Sequence, residues 1–149
     1  MNDEWLETFL RLGAAVLAGA AVGWERQLGG RPAGLRTHML VSLGSAMVVL
    51  IPLQSGLADA TRVIQGVATG IGFLCAGDIL HQVRAGHERI KGLTSSAALW
   101  VTAALGMVAA SGRWPLVVVA TALTLIILTV VKRFEPTRPK SAPDTKPQA

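Results

Sequence analysis

The residues of this chain that could do chemistry are carboxylates, a histidine and hydroxyls set beside arginines, and they gather in four short junctions. These are G-W-E-R at residues 23–26, A-G-L-R-T-H at 33–38, G-I-G-F-L-C-A-G at 70–77 followed at once by Asp78, and K-G-L-T-S-S-A at 91–97. Within them Glu25 can pair with Arg26 or Arg36, the hydroxyls of Thr94, Ser95 and Ser96 can cap a helix, and the glycines permit tight turns. Two readings of the set stay open. One is a structural ring of salt bridges and caps anchoring helix ends; the other is a binding site built from Glu25, Arg26, Arg36, Thr37, His38, Asp78, Thr94 and Ser95. Asp78 divides in the same way: an interfacial carboxylate neutralised by arginines or hydrogen-bonded to His81 or Gln82, or a ligand for a proton or cation. Magnesium prefers oxygen ligands and keeps several waters, so one carboxylate with threonine and serine hydroxyls would hold it only weakly.

Catalytic signatures are incomplete. His87 and Glu88 begin an H-E-x-x-H pattern, but Lys91 stands where the second zinc ligand belongs. Gly77 and Asp78 lack the second intramembrane aspartate that a shared-proton dyad requires. Gly70 and Gly72 lack the third glycine of a dinucleotide loop, and no G-x-S-x-G occurs. The single cysteine, Cys75, rules out an internal disulfide or a multi-cysteine zinc site and reads as an inert buried thiol. The expectation is a protein that is not an enzyme and carries no resident cofactor.

The elements that must position these residues are five apolar runs at 5–24, 37–57, 63–83, 93–111 and 115–131. Each approaches the roughly 20 residues needed to cross a hydrocarbon core of about 30 Å as a helix, the last being the shortest. Across 149 residues, 51% of side chains are hydrophobic, too many in long runs for an ordinary soluble fold. The expected fold is an all-α membrane bundle of five helices over residues 1–134, with a proline-rich, disordered tail at 135–149. A net charge of +5 and a pI near 10.4 do not indicate nucleic acid, because the basic residues lie in connectors between apolar runs. Of the 14 lysines and arginines, eleven fall with the first and third loops and the tail. Arg62 and Arg113 fall on the opposite side, which places the N-terminus outside and the tail in the cytoplasm. Acidic Asp3, Glu4 and Glu7 before the first run are unlike a cleaved signal peptide, so that helix is expected to stay.

Inside the first run Arg11 follows Glu7 by four residues, the favourable order for a helical ion pair reaching the interface. Gly19 with Gly23, and Gly66 with Gly70 and Gly77, are small residues at helical spacing. They are read as faces for close packing within the bundle or, alternatively, between copies in a homo-oligomer. Only Pro52 and the stretch 70–77 hint at the broken helices of a transporter.

The four junctions, in this order, resemble the membrane domain of the MgtC/SapB family over residues 17–131. The family pattern carries over to Glu25, Arg26, Gly34, Arg36, Thr37, Asp59, Arg62, Gly70, Gly72, Phe73, Gly77, Gly92, Leu93, Thr94 and Trp100. The resemblance implies a multi-pass protein of the bacterial inner membrane with about five helices, linked to growth under magnesium limitation. In the MgtC branch it further implies survival inside host cells and restraint of a membrane partner, the ATP synthase. The chain departs from the pattern at Cys75, Asp78 and Ser95–Ser96. It looks like the short SapB type, without the cytosolic domain that follows the membrane part in MgtC. The leading expectation is a regulatory or interacting membrane protein in cation homeostasis; the alternative is a carrier or channel for magnesium or another small ion.

Overall fold

The computed structural model describes residues 2–56, 60–84 and 92–131. Asp59, His87, Glu88, Lys91 and the tail at 135–149 lie outside them, as do the side chains of His81 and Gln82. Five α-helices follow in chain order: α1 (Asn2–Leu28), α2 (Leu35–Ser55), α3 (Ala60–Arg84), α4 (Leu93–Ala110) and α5 (Trp114–Ile126), the last continued by a π-helical turn at Ile127–Val131.

Local sequence accounts for the helix ends. Asp3 and Glu4 occupy the first turn of α1, where a carboxylate complements the helix dipole. The other end closes in a Schellman motif. Arg31 N–H donates to the Arg26 carbonyl at 3.1 Å and Gly30 N–H to the Gln27 carbonyl at 3.0 Å, with Gly30 at φ 63° in the left-handed region that glycine enters without a Cβ penalty. Gly56 ends α2 in the same region, and Pro115 lies in the first turn of α5, where its missing N–H costs nothing. Pro52 lies inside the last turn of α2 and α3 runs unbroken through 70–77, so neither hint of a broken helix is realised.

Helices α1, α2, α4 and α5 with its π turn are long and apolar enough to cross a membrane. α3 has the length, at 25 residues, but Thr61, Gln65, Thr69, Asp78 and four glycines dilute its apolar character. The core lies where α1, α2 and α4 meet, around Ala15, Val22, Ala46, Val49, Leu105 and Ala109. α5 rests on α1 and α4, whereas α3 lies against α4 and more lightly on α2. Most remaining large apolar side chains, Phe9, Leu17, Val118 and Leu123 among them, point outward, as befits a surface solvated by lipid.

Glycines set the closeness of the central three helices. A Cβ at Gly19 would stand 2.7 Å from the His38 carbonyl oxygen, and one at Gly23 2.8 Å from Leu35 Cα. The first expected small-residue face therefore packs α1 on α2. The second packs against none of the described residues: Cβ atoms at Gly66, Gly70, Gly72 and Gly77 would meet nothing of them within 4 Å. α3 instead presents this face outward or toward a groove, because its only buried residue among those described is Ile71.

Candidate functional site

The C-terminal end of α1, the N-terminal end of α2 and the N-terminal end of α4 converge on Arg26. Its guanidinium is 2% exposed; Nη2 donates to Ser95 Oγ at 2.9 Å, and Nη1 lies 3.6 Å from Glu25 Oε2. Glu25 thus pairs with Arg26, not with Arg36. His38 is fully buried because it sits over Gly23, whose hypothetical Cβ would be 2.9 Å from His38 Cβ. Its Nδ1 is 3.0 Å from the Gly34 carbonyl. A carbonyl only accepts, so Nδ1 carries a proton and donates it here, leaving Nε2 as the ring's second polar atom. Glu25 and Arg26 both lie within electrostatic reach of the ring. Arg26 Nε, Glu25 Oε2 and His38 Nε2 are buried with no hydrogen-bond partner among the described residues, giving this node spare polar capacity in a low-dielectric setting.

The other expected members do not join the node. Arg36, Thr37 and Thr94 are exposed. The expected hydroxyl cap on α4 is absent: Gly92, at φ 109°, is the N-cap and no side chain bonds there. Helix geometry explains the difference, since Ser95 and Ser96 face inward toward other helices. Ser95 accepts from Arg26, while Ser96 Oγ donates to the Cys75 carbonyl at 3.2 Å and Cys75 Sγ to the Ser96 carbonyl at 3.1 Å. That reciprocal pair ties α3 to α4.

Asp78 lies away from the node on α3, partly buried, where it and Thr37 form the polar wall of a cavity of about 260 Å³ otherwise lined by Pro32, Ala33, Val41, Ile71, Leu74 and Leu99. Among the described residues, no three histidine, cysteine, aspartate or glutamate side chains converge as a metal-binding group. Of the remaining motif positions, Arg62 is exposed, as are Phe73 at 80% and Trp100 at 48%.

Several structural residues carried no sequence signal that singled them out. Ser42 is fully buried and donates to the Ala15 carbonyl at 2.7 Å, while Gly106 lies against its backbone. Gln27 Oε1 accepts from Leu35 N–H at 3.2 Å, satisfying one of the free amides that open α2. At the opposite end of the bundle Arg11 pairs with Glu7, as their spacing predicts, and Arg11 Nη1 also donates to the Ala110 carbonyl at 2.8 Å.

Comparison with known proteins finds relatives over most of the chain. The chain is 44% identical over 145 residues to Protein SrpB of Synechococcus elongatus, covering 90% of this chain and 80% of SrpB. It is 42% identical over 134 residues to a protein of Escherichia coli named "Putative magnesium transporter YhiD", covering 83% of this chain and 60% of that protein. Protein MgtC of Brucella abortus is 38% identical over 122 residues, covering 81% of this chain and 50% of MgtC. The chain therefore spans less than two thirds of the YhiD length and half of the MgtC length. No solved structure matches. The model of the MgtC family matches residues 12–137, a span that takes in the Arg26 node, the glycine seam and all five helices but the first turns of α1, and on that match this multi-pass membrane protein belongs to the MgtC family.

Proposed function

We propose that this chain is a regulatory, interacting protein of the bacterial inner membrane in cation homeostasis, engaging a membrane partner through its exposed helix faces and the basic end of the bundle. The observation that carries this reading is the closure of the central seam. Gly19, Gly23 and Gly106 bring the backbones of α1, α2 and α4 into contact. The polar groups along that seam bond to one another or to carbonyls: Arg26 to Ser95, Ser42 to Ala15, Thr102 to Ala98. A carrier draws on polar groups and interrupted backbone at mid-membrane to hold its ion; here those groups act as fasteners. Meanwhile Arg36 and Thr94 are exposed near the node, and α3 offers an open small-residue face of the kind that lets a partner helix approach closely. The ATP synthase, which the family resemblance implies for the MgtC branch, is the first partner to test.

A carrier for magnesium is the second reading, favoured by the cavity that Asp78 shares with Thr37 and by the printed name of YhiD. Purified wild-type protein in proteoliposomes containing a magnesium indicator is expected to show no flux. Affinity capture from native membranes is expected to retain a membrane partner that Arg36→Ala loses. Magnesium uptake by wild type, abolished in Asp78→Asn, would replace the regulator with the carrier.

A further inference from the structure

Two side chains of the Arg26 node are withdrawn almost wholly from the surface, Arg26 at 2% and His38 at 0% exposure. Each keeps one polar atom, Arg26 Nε and His38 Nε2, that meets no hydrogen-bond partner among the described residues. Polar groups in such a setting are nearly always satisfied, by protein or by an ordered water, because a bare one forfeits its whole hydration. The two lie on one face of α1. A Cβ at Gly23 would stand 2.9 Å from His38 Cβ, and Arg26 follows Gly23 by three residues, on the same side of the helix.

The guanidinium fixes where a partner for Nε can stand. Its planar fork holds the Nε–H bond and one Nη2–H bond side by side on one edge, and Nη2 already donates to Ser95 Oγ at 2.9 Å. A group that accepts from Nε–H therefore stands beside the Ser95 hydroxyl, about one hydrogen-bond length away. That hydroxyl has a hydrogen and a second lone pair, so it can meet the group either way. His38 Nδ1 is occupied by the Gly34 carbonyl, which leaves Nε2 as the ring atom to face it.

We propose that a single internal water occupies this position, accepting from Arg26 Nε–H and bonded to Ser95 Oγ and His38 Nε2. Charge selects a neutral occupant. Glu25 Oε2 lies 3.6 Å from Arg26 Nη1 and balances the guanidinium, so an anion would meet the carboxylate and a cation the arginine. Three partners are also the usual complement of a buried water, which takes up polar groups that the chain leaves unpaired. Arg26 lies on α1, His38 on α2 and Ser95 on α4, so one molecule joins the three central helices at this end of the bundle, as Ser42 does deeper within it.

A crystal structure of the full chain grown from a lipidic mesophase, at a resolution that shows ordered surface waters, tests the assignment directly. One isolated density peak is expected about 2.7–3.2 Å from each of Arg26 Nε, Ser95 Oγ and His38 Nε2. No peak there, a peak that fails to reach all three atoms, or His38 Nε2 bonded directly to another side chain would overturn the proposal. So would a peak at about 2.0–2.6 Å from a Glu25 oxygen, the distance of a bound cation. Thermal unfolding gives an independent check. A shared water couples Arg26 to His38, so Arg26→Met with His38→Phe is expected to melt no lower than the less stable of the two single variants. Losses in midpoint that simply add would overturn the bridge, and where a variant does not fold the wild-type density decides.

Discussion

Gly106 on α4 lies so close to Ser42 on α2 that a Cβ added to it would stand 2.1 Å from the Ser42 carbonyl oxygen. The same serine donates its hydroxyl to the Ala15 carbonyl on α1, so three helices meet at one residue. Without a hydrophobic drive between helices in lipid, such backbone approach and the hydrogen bond within it are what hold them together.

Gly106→Ala is therefore expected to destabilise the bundle by about 1–3 kcal/mol, toward the upper end because the obstacle is backbone that cannot rotate away. Thermal unfolding in detergent measures it. Gly70→Ala, at a position with open space around it, should melt within error of wild type. Equal losses at the two sites would mean that the central seam is no tighter than the open glycine face of α3.

Ser95→Ala removes the acceptor of the buried Arg26 guanidinium and should cost about 1.5–3 kcal/mol, the range for a hydrogen bond to a charged group. Arg26→Met leaves Glu25 without its cation and should cost about 3–5 kcal/mol, as when one partner of a buried pair is removed. In the double variant the Ser95→Ala penalty should largely vanish. Additive losses would show that the two side chains are not coupled.

Arg11 supports the other end of the bundle by pairing with Glu7 and donating to the Ala110 carbonyl in the last turn of α4. Arg11→Ala is expected to lower stability by about 1 kcal/mol, because a cation at a helix C-terminus is lost together with its hydrogen bond. Glu7→Ala, which leaves the carbonyl contact in place, should cost less. The reverse order in melting midpoints would assign the main role to the ion pair.

The distribution of basic residues predicts an orientation that is open to direct measurement. In a Cys75→Ser background, where the hydroxyl can still donate to the Ser96 carbonyl, single cysteines at positions 31 and 140 should be labelled from the cytoplasmic side and one at 113 from the outside. Labelling of position 31 from the periplasmic side alone would invert the assignment.

Much of the architecture was legible in the residues because lipid imposes one rule on every crossing segment: its backbone must bond to itself. Apolar length alone thus located five helices to within a few residues of their observed ends, and the spacing of Glu7 and Arg11 was enough to predict their pair. The motif order was likewise enough to identify the family. Gly19 and Gly23 were visible as a packing face because small residues four apart share one side of a helix.

The sequence alone, then, determined that this chain is an all-α membrane protein and which residues could meet at helix ends. Only the tertiary structure decided which of them do. Periodicity states that Gly66 and Gly70 share a face, but not whether a neighbour lies there; that depends on where α4 draws α3, and α3 leaves the face open. Thr94 and Ser95 are adjacent in the chain, yet a turn of about 100° per residue sends one outward and the other onto Arg26. Gly106 carries no motif at all, since its role is set by the backbone of another helix, and no pattern local to α4 records where that backbone passes.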